Sequence, residues 1–141
     1  MAEFRLRQAK QLITKTLAHG RAMGLKPLSV IVLDPGGNVK AFEREDGASN
    51  LRFNIAQGKA YAALGWGASS RAIMERGEQQ PLFVAALAQS FEGKLIPSPG
   101  GLLVKDVRGN LLGAIGVTGD TGDNDEKAAL AAIEEMKLTA G

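Results

Sequence analysis

Apolar residues recur every three to four positions from Phe4 to about Met23, with Leu6, Ala9, Ile13, Leu17 and Gly20 on one stripe and lysines and arginines outside it. That spacing predicts an amphipathic helix, which Gly24 ends. Leu28 to Leu33 is a β-branched run that reads as a buried strand, and Val39 to Arg44 returns as its hairpin partner across Asp34-Pro35-Gly36-Gly37-Asn38. Ser49 or Asn50 is placed to cap a second helix, whose small face (Ala56, Ala60, Ala63) predicts close approach to another backbone. Gly65-Trp66-Gly67 closes it. Ser69 or Ser70 is placed to cap a shorter helix, and Pro81 opens another through about Phe91.

From Lys94 the pattern changes. Three apolar runs (Leu95-Ile96, Leu102 to Val104, Leu111 to Val117) alternate with turn chemistry at Pro97-Ser98-Pro99-Gly100-Gly101 and Arg108-Gly109-Asn110, which predicts a β-meander. The polar loop Thr118 to Asp123 leads into an alanine-rich last helix ending near Leu138. Hairpin-linked strands need no crossover, so the expected sheet is largely antiparallel, in one α+β domain spanning 1–141 with helices layered on it.

Composition narrows the chemistry. The 141 residues include no cysteine, which excludes disulfides, thiolate nucleophiles and thiolate metal sites. The net charge of +2 and the scarcity of aromatics among the basic residues argue against nucleic acid as a partner. No run reaches the roughly 18 apolar residues of a membrane span, and the amino terminus has no apolar signal core, so no membrane association and a cytoplasmic location are expected.

Candidate site residues come from the places where glycine and charge interrupt the pattern. Gly113, Gly116 and Gly119 recur at every third position of one strand; the first two read as helix-packing positions. At Thr118-Gly119 the strand runs out toward a helix start, where free N–H groups favour an anion. Gly100-Gly101 is either a connector or a ligand wall. This is neither a Walker loop nor a dinucleotide fingerprint, because no Gly-Lys-Ser/Thr occurs and the spacing is not GxGxxG. Lys59, in an otherwise small and apolar helix, can snorkel to solvent or point an ammonium into a cleft; Arg44 and Asp46 are candidates for the same cleft. His19, the only histidine, falls about 120° from the centre of its helix's apolar stripe. It reads as a boundary residue, or as an axial haem ligand, a role that needs one imidazole. Asp120, Asp123 and Asp125 stand at a helix start and read as caps, not as a cation site.

Leu33-Asp34 with Gly36-Gly37, Arg44 to Ala48, Lys59-Ala60, Pro99-Gly100-Gly101, and Gly113 to Gly119 with Asp125 together resemble the GlcG/HbpS-like haem-binding family, which includes the carboxy-terminal domain of PduO-type proteins. The resemblance covers nearly the whole chain. The family motif usually ends in serine where this chain has Thr118. The resemblance implies a profilin-like or PAS-like α/β/α fold around a five-stranded sheet, a homo-oligomer (dimer or octamer), and haem or a similar tetrapyrrole as ligand. On that reading Lys59 and Arg44 meet the propionates, the backbones at Gly100-Gly101 and Gly116 to Gly119 allow close approach, and His19 ligates iron. Two alternatives are an accessory enzyme of small hydroxy- or keto-acid catabolism, with Lys59 anchoring a carboxylate and Asp46 as general base, and a non-catalytic oligomeric sensory or scaffold module.

Overall fold

The computed structural model describes residues 2–141. Its elements run α1 (Leu6–Ala22), β1 (Ser29–Leu33), β2 (Val39–Arg44), α2 (Arg52–Trp66), α3 (Ser70–Gln79), α4 (Pro81–Ser90), β3 (Gly101–Lys105), β4 (Leu111–Thr118), α5 (Gly122–Glu135) and β5 (Thr139–Ala140). The strands form one antiparallel sheet in the order β2-β1-β4-β3-β5. The α+β class and the five-stranded antiparallel sheet are those expected.

Strand alternation sends side chains to two different cores. Val30, Val32, Leu102, Val104, Ile115 and Val117 pack under α1 and α5, against Leu12, Ile13, Ala129 and Ile133. Ile31, Leu33 and Ala114 pack instead under α2, against Ala56 and Ala60. Beyond α2, Ala62 meets Ile73, Val84 and Leu95, which seats α3 and α4 on its outer side. Each fully buried Leu, Ile or Val contributes about 1.5–3 kcal/mol.

The two hairpins use one turn twice. Asp34 Oδ1 accepts from the amides of Gly36 and Asn38, and Asp106 Oδ1 accepts from those of Arg108 and Asn110. Gly37 and Gly109 stand at the equivalent place with φ of 85° and 84°, where a side chain would be strained.

Several local expectations are corrected. Helix α1 starts at Leu6, because its N-cap Arg5 is extended and Phe4 is buried and donates its amide to the Leu112 carbonyl. Neither Ser49 nor Asn50 caps α2, whose N-cap is Leu51 with no side-chain cap. Ser69 stands at the N-cap of α3, where its carbonyl accepts the Ala72 amide but its hydroxyl caps nothing, and Ser70 turns inward. Leu95-Ile96 forms no strand: the Ile96 amide bonds the Gly58 carbonyl on α2. The fifth strand comes instead from the carboxy terminus, where Lys137 at φ 59° turns the chain back along β3. Gly113 does not face a helix. It sits at φ 148° beside the register shift of β3 and β4, and a Cβ there would overlap the Leu33 carbonyl oxygen of the neighbouring strand.

Gly116 is the helix-packing glycine. A Cβ on it would overlap the Ala56 carbonyl oxygen of α2, and neither backbone can give way cheaply. Gly116→Ala is therefore expected to destabilise the protein by about 2–3 kcal/mol. Gly67→Ala, at φ 83° with open space around it, is expected to lose only about 1 kcal/mol. Chemical denaturation of both variants checks the order.

Candidate functional site

Lys59 projects from the middle of α2 toward the end of the sheet. Its Nζ donates to the Val117 carbonyl at 2.9 Å and to Asp125 Oδ2 at 3.3 Å, and its side chain is only 4% exposed. Asp125 lies in the first turn of α5, and its other oxygen accepts the Asp120 amide at 2.9 Å. Burial pushes the lysine down from its ordinary value and the aspartic acid up; each one's charge opposes the other's shift.

The glycines make this crossing possible. A Cβ on Gly100 would press on the Val117 carbonyl and the Lys59 ammonium, and one on Gly101 would overlap the Lys59 carbonyl. Gly101 also donates its amide to Ser70 Oγ, whose hydroxyl reaches the Ser98 carbonyl. Gly119, at φ 146°, lies against Pro27 with no room for a side chain. Thus Gly100 and Gly101 do meet Lys59, but as packing against it, while Gly119 lies against Pro27 and Leu28 instead. The lysine's hydrogen bonds are made inside the protein.

The cation at the rim is Arg52, which residue-by-residue reading of the sequence did not single out. It is half-buried in the first turn of α2, and its Nη1 donates to Thr118 Oγ1 at 2.8 Å. Thr118, Ser29 and Arg44 stand opposite one another on β4, β1 and β2, so their side chains share the face that α2 covers. Ser29 is fully buried and its Oγ has no hydrogen-bond partner among the described residues. The available signals were faint: an arginine in a first turn opposes the helix dipole, and a serine opens an otherwise apolar buried strand.

Arg44 is exposed and donates to the Ala48 carbonyl. With Asp46 it borders a groove of about 480 Å³ between the ends of α1 and β2, whose other charged lining is Arg21, Glu43 and Glu45. His19 lies elsewhere, on α1, with Nε2 2.8 Å from Glu135 Oε1 of α5. Along the outer side of α1 runs an open groove of about 520 Å³ lined by Leu6, Arg7, Lys10, Gln11, Thr14 and Lys15.

The acidic residues at the start of α5 serve different ends. The helix is capped by Thr121 Oγ1, which accepts the Asn124 amide, so the three aspartates are not its caps. Asp123 and Glu126 pair with Arg71 of α3, and Asp125 takes Lys59. Among the described residues no cluster of three His, Cys, Asp or Glu could hold a metal ion, and no helix is long and apolar enough to cross a membrane.

The sequence matches, over residues 4–134, the family model described as haem degrading protein HbpS-like. The chain belongs to this HbpS-like family. Its fold is similar to that of HbpS itself, at 26% identity and a TM-score of 0.81 over 96% of this chain and 92% of that one. It is also similar to PduOC in its haem complex (20% identity, TM-score 0.86, 98% of each chain) and to the Klebsiella pneumoniae protein ORFY (23% identity, TM-score 0.84, 95% and 90%). Among curated proteins, none matches the sequence significantly.

Two predictions follow from the crossing and from the loop beside it. Lys59→Ala leaves Asp125 buried without a counter-charge and is expected to destabilise by about 3–5 kcal/mol, whereas Lys59→Met with Asp125→Leu recovers part of the loss, the Val117 carbonyl and Asp120 amide staying unpaired, as denaturant midpoints will show. Asp120 is held at about 2, below its ordinary 3.8, by the Lys26 amide first, then by the Asn124 side chain and the Thr121 amide. A carboxylate lowered in the folded state stabilises above 3.8 and loses that contribution as pH falls through about 2. Thermal unfolding followed between pH 5 and 2 (roughly the span of that titration) is expected to fall less steeply in Asp120→Asn.

Proposed function

We propose that this HbpS-like protein binds haem, or a tetrapyrrole of similar shape and charge, along the outer side of α1. Family membership over residues 4–134 supports a haem-related role, and PduOC, of the same fold, is known in complex with haem. The observation that carries the site is a row at helical spacing. Arg7, Gln11 and Lys15 succeed one another every four residues and line the groove with Leu6 and Lys10, and His19 follows one turn beyond its end.

The residue types suit the ligand. Arg7, Lys10 and Lys15 offer cations to two propionates, Leu6 offers an apolar surface at 56% exposure, and one imidazole suffices for axial ligation. His19 is one-third exposed, and its bond to Glu135, itself shared with Lys15, is a surface contact that exchanges at little cost. Once ligated, the iron would supply the redox chemistry; the chain's part is to hold the propionates and orient the imidazole.

The groove is walled by one helix only. We infer that a second copy of the chain covers it, so that the haem-bound form is a homo-oligomer. Work in the cytoplasm fits the same reading.

Haemin titration is expected to give a saturable Soret shift that His19→Ala alters in position and weakens in affinity. Lys10→Glu with Lys15→Glu is expected to weaken binding roughly tenfold or more through the lost propionate contacts. Absence of any saturable shift, or a spectrum and affinity unchanged in His19→Ala, refutes the site. Light scattering with and without haemin reports the assembly.

A further inference from the structure

At the end of the sheet the structure leaves an excess of donors. Thr118 Oγ1 accepts from Arg52 and donates to nothing among the described residues. Ser29 Oγ, beside it across β1 and β4, has neither donor nor acceptor among the described residues, although Ser29 is fully buried. The Arg52 guanidinium bonds only Thr118 and Ser49 Oγ, with no carboxylate within ion-pair distance among the described residues. Arg44, next in the same row, meets only the Ala48 carbonyl.

The start of α2 adds to the imbalance. It has no side-chain cap and no acidic residue in its first turn, and the amides of Phe53 and Asn54 make no hydrogen bond among the described residues. Lys59 and Asp125 cancel each other behind this cluster, so Arg52 remains an uncompensated positive charge. Arg52 in turn helps to push Lys59 down, which places the two cations within each other's field.

A buried hydroxyl without a partner costs about 1–3 kcal/mol and persists where something else satisfies it. What is missing here is an acceptor, and a negatively charged one. We propose that Arg52, Thr118 and Ser29, at the open start of α2, form a carboxylate-binding site. The guanidinium carries the charge interaction, and the two hydroxyls donate to the carboxylate oxygens. The carboxylate can come from a small free acid or from a propionate of a larger ligand; the chemistry at the site is the same. The proposal does not depend on the haem reading, whose histidine lies on another element.

The test uses glycolate, pyruvate and haemin with the full chain, followed by amide NMR shifts at Ser29, Thr118 and Phe53. One of these ligands is expected to move those signals saturably. Arg52→Gln is expected to weaken that binding roughly 10- to 100-fold and Ser29→Ala roughly fivefold. Ser29→Ala removes a hydroxyl that bonds nothing, so it keeps the test valid where Arg52→Gln unfolds. Small acids binding without a Soret response support the site and count against the haem reading. Haemin moving the same signals, with sensitivity to both variants, identifies the carboxylate as a propionate. No ligand moving these signals, or binding that both variants leave unchanged, overturns the proposal, even where His19→Ala shows that haem binds on α1.

Discussion

The contact between Lys59 and Asp125 ties the three layers of this protein together. Lys59 belongs to α2 on one face of the sheet, Asp125 to α5 on the other, and they meet at the end of β4 around the Val117 carbonyl. Desolvating two charges is expensive, and their attraction offsets this only where every remaining polar atom is bonded. Here the second Asp125 oxygen takes the Asp120 amide, and Asp120 in turn holds Lys26, Thr121 and Asn124. One ion pair thus fixes the start of α5, the loop before it and the turn before β1.

That crossing dictates sequence some distance away. Gly100 and Gly101 are glycines because Lys59 passes over them, and Gly116 is glycine because α2 must lie close enough for the lysine to arrive. Ser70 completes the arrangement by holding Ser98 and Gly101 from α3. Residues that look like the lining of a binding pocket are therefore the packing that supports a buried charge. The binding capacity moves outward, to Arg52.

Much of the fold was legible because periodicity reports burial directly. The β-branched β1, both hairpin turns and the small face of α2 stand where the pattern puts them, as does the stripe of α1 apart from Leu6, which is exposed. What escaped depends on partners distant in sequence. Leu95-Ile96 looks like a strand, yet Pro97 and Pro99 donate no amides and Ile96 bonds Gly58 instead. Thr139–Ala140 has no strand pattern of its own and is held by β3. Lys59 left two readings open because snorkelling and inward pairing look alike without Asp125 in view. Arg52 and Ser29 gain meaning only through register, since the row Arg44, Ser29, Thr118 joins residues from three strands.

The placement of these groups bears on how any one ligand could use them. His19 lies on α1 and meets α5, so it belongs to the layer on the Val30 and Val117 face. Arg52 and Thr118 face α2 on the opposite side. The sheet, with Val30, Ile31, Ile115 and Val117 all fully buried, separates the two. A rigid planar ligand lying along α1 cannot also place its carboxylates on Arg52 of the same chain. If one ligand uses both sets, they must come from two copies, with the histidine of one chain facing the arginine of another. If the sets work separately, the protein has an iron-directed face and a carboxylate-directed face, and occupancy of one leaves the other open. Both arrangements follow from a single feature, the sheet's two unequal faces: one closed by aliphatic residues under α1 and α5, the other by Ile31, Leu33 and the small residues Ala114 and Gly116 under α2, with a polar row at its end.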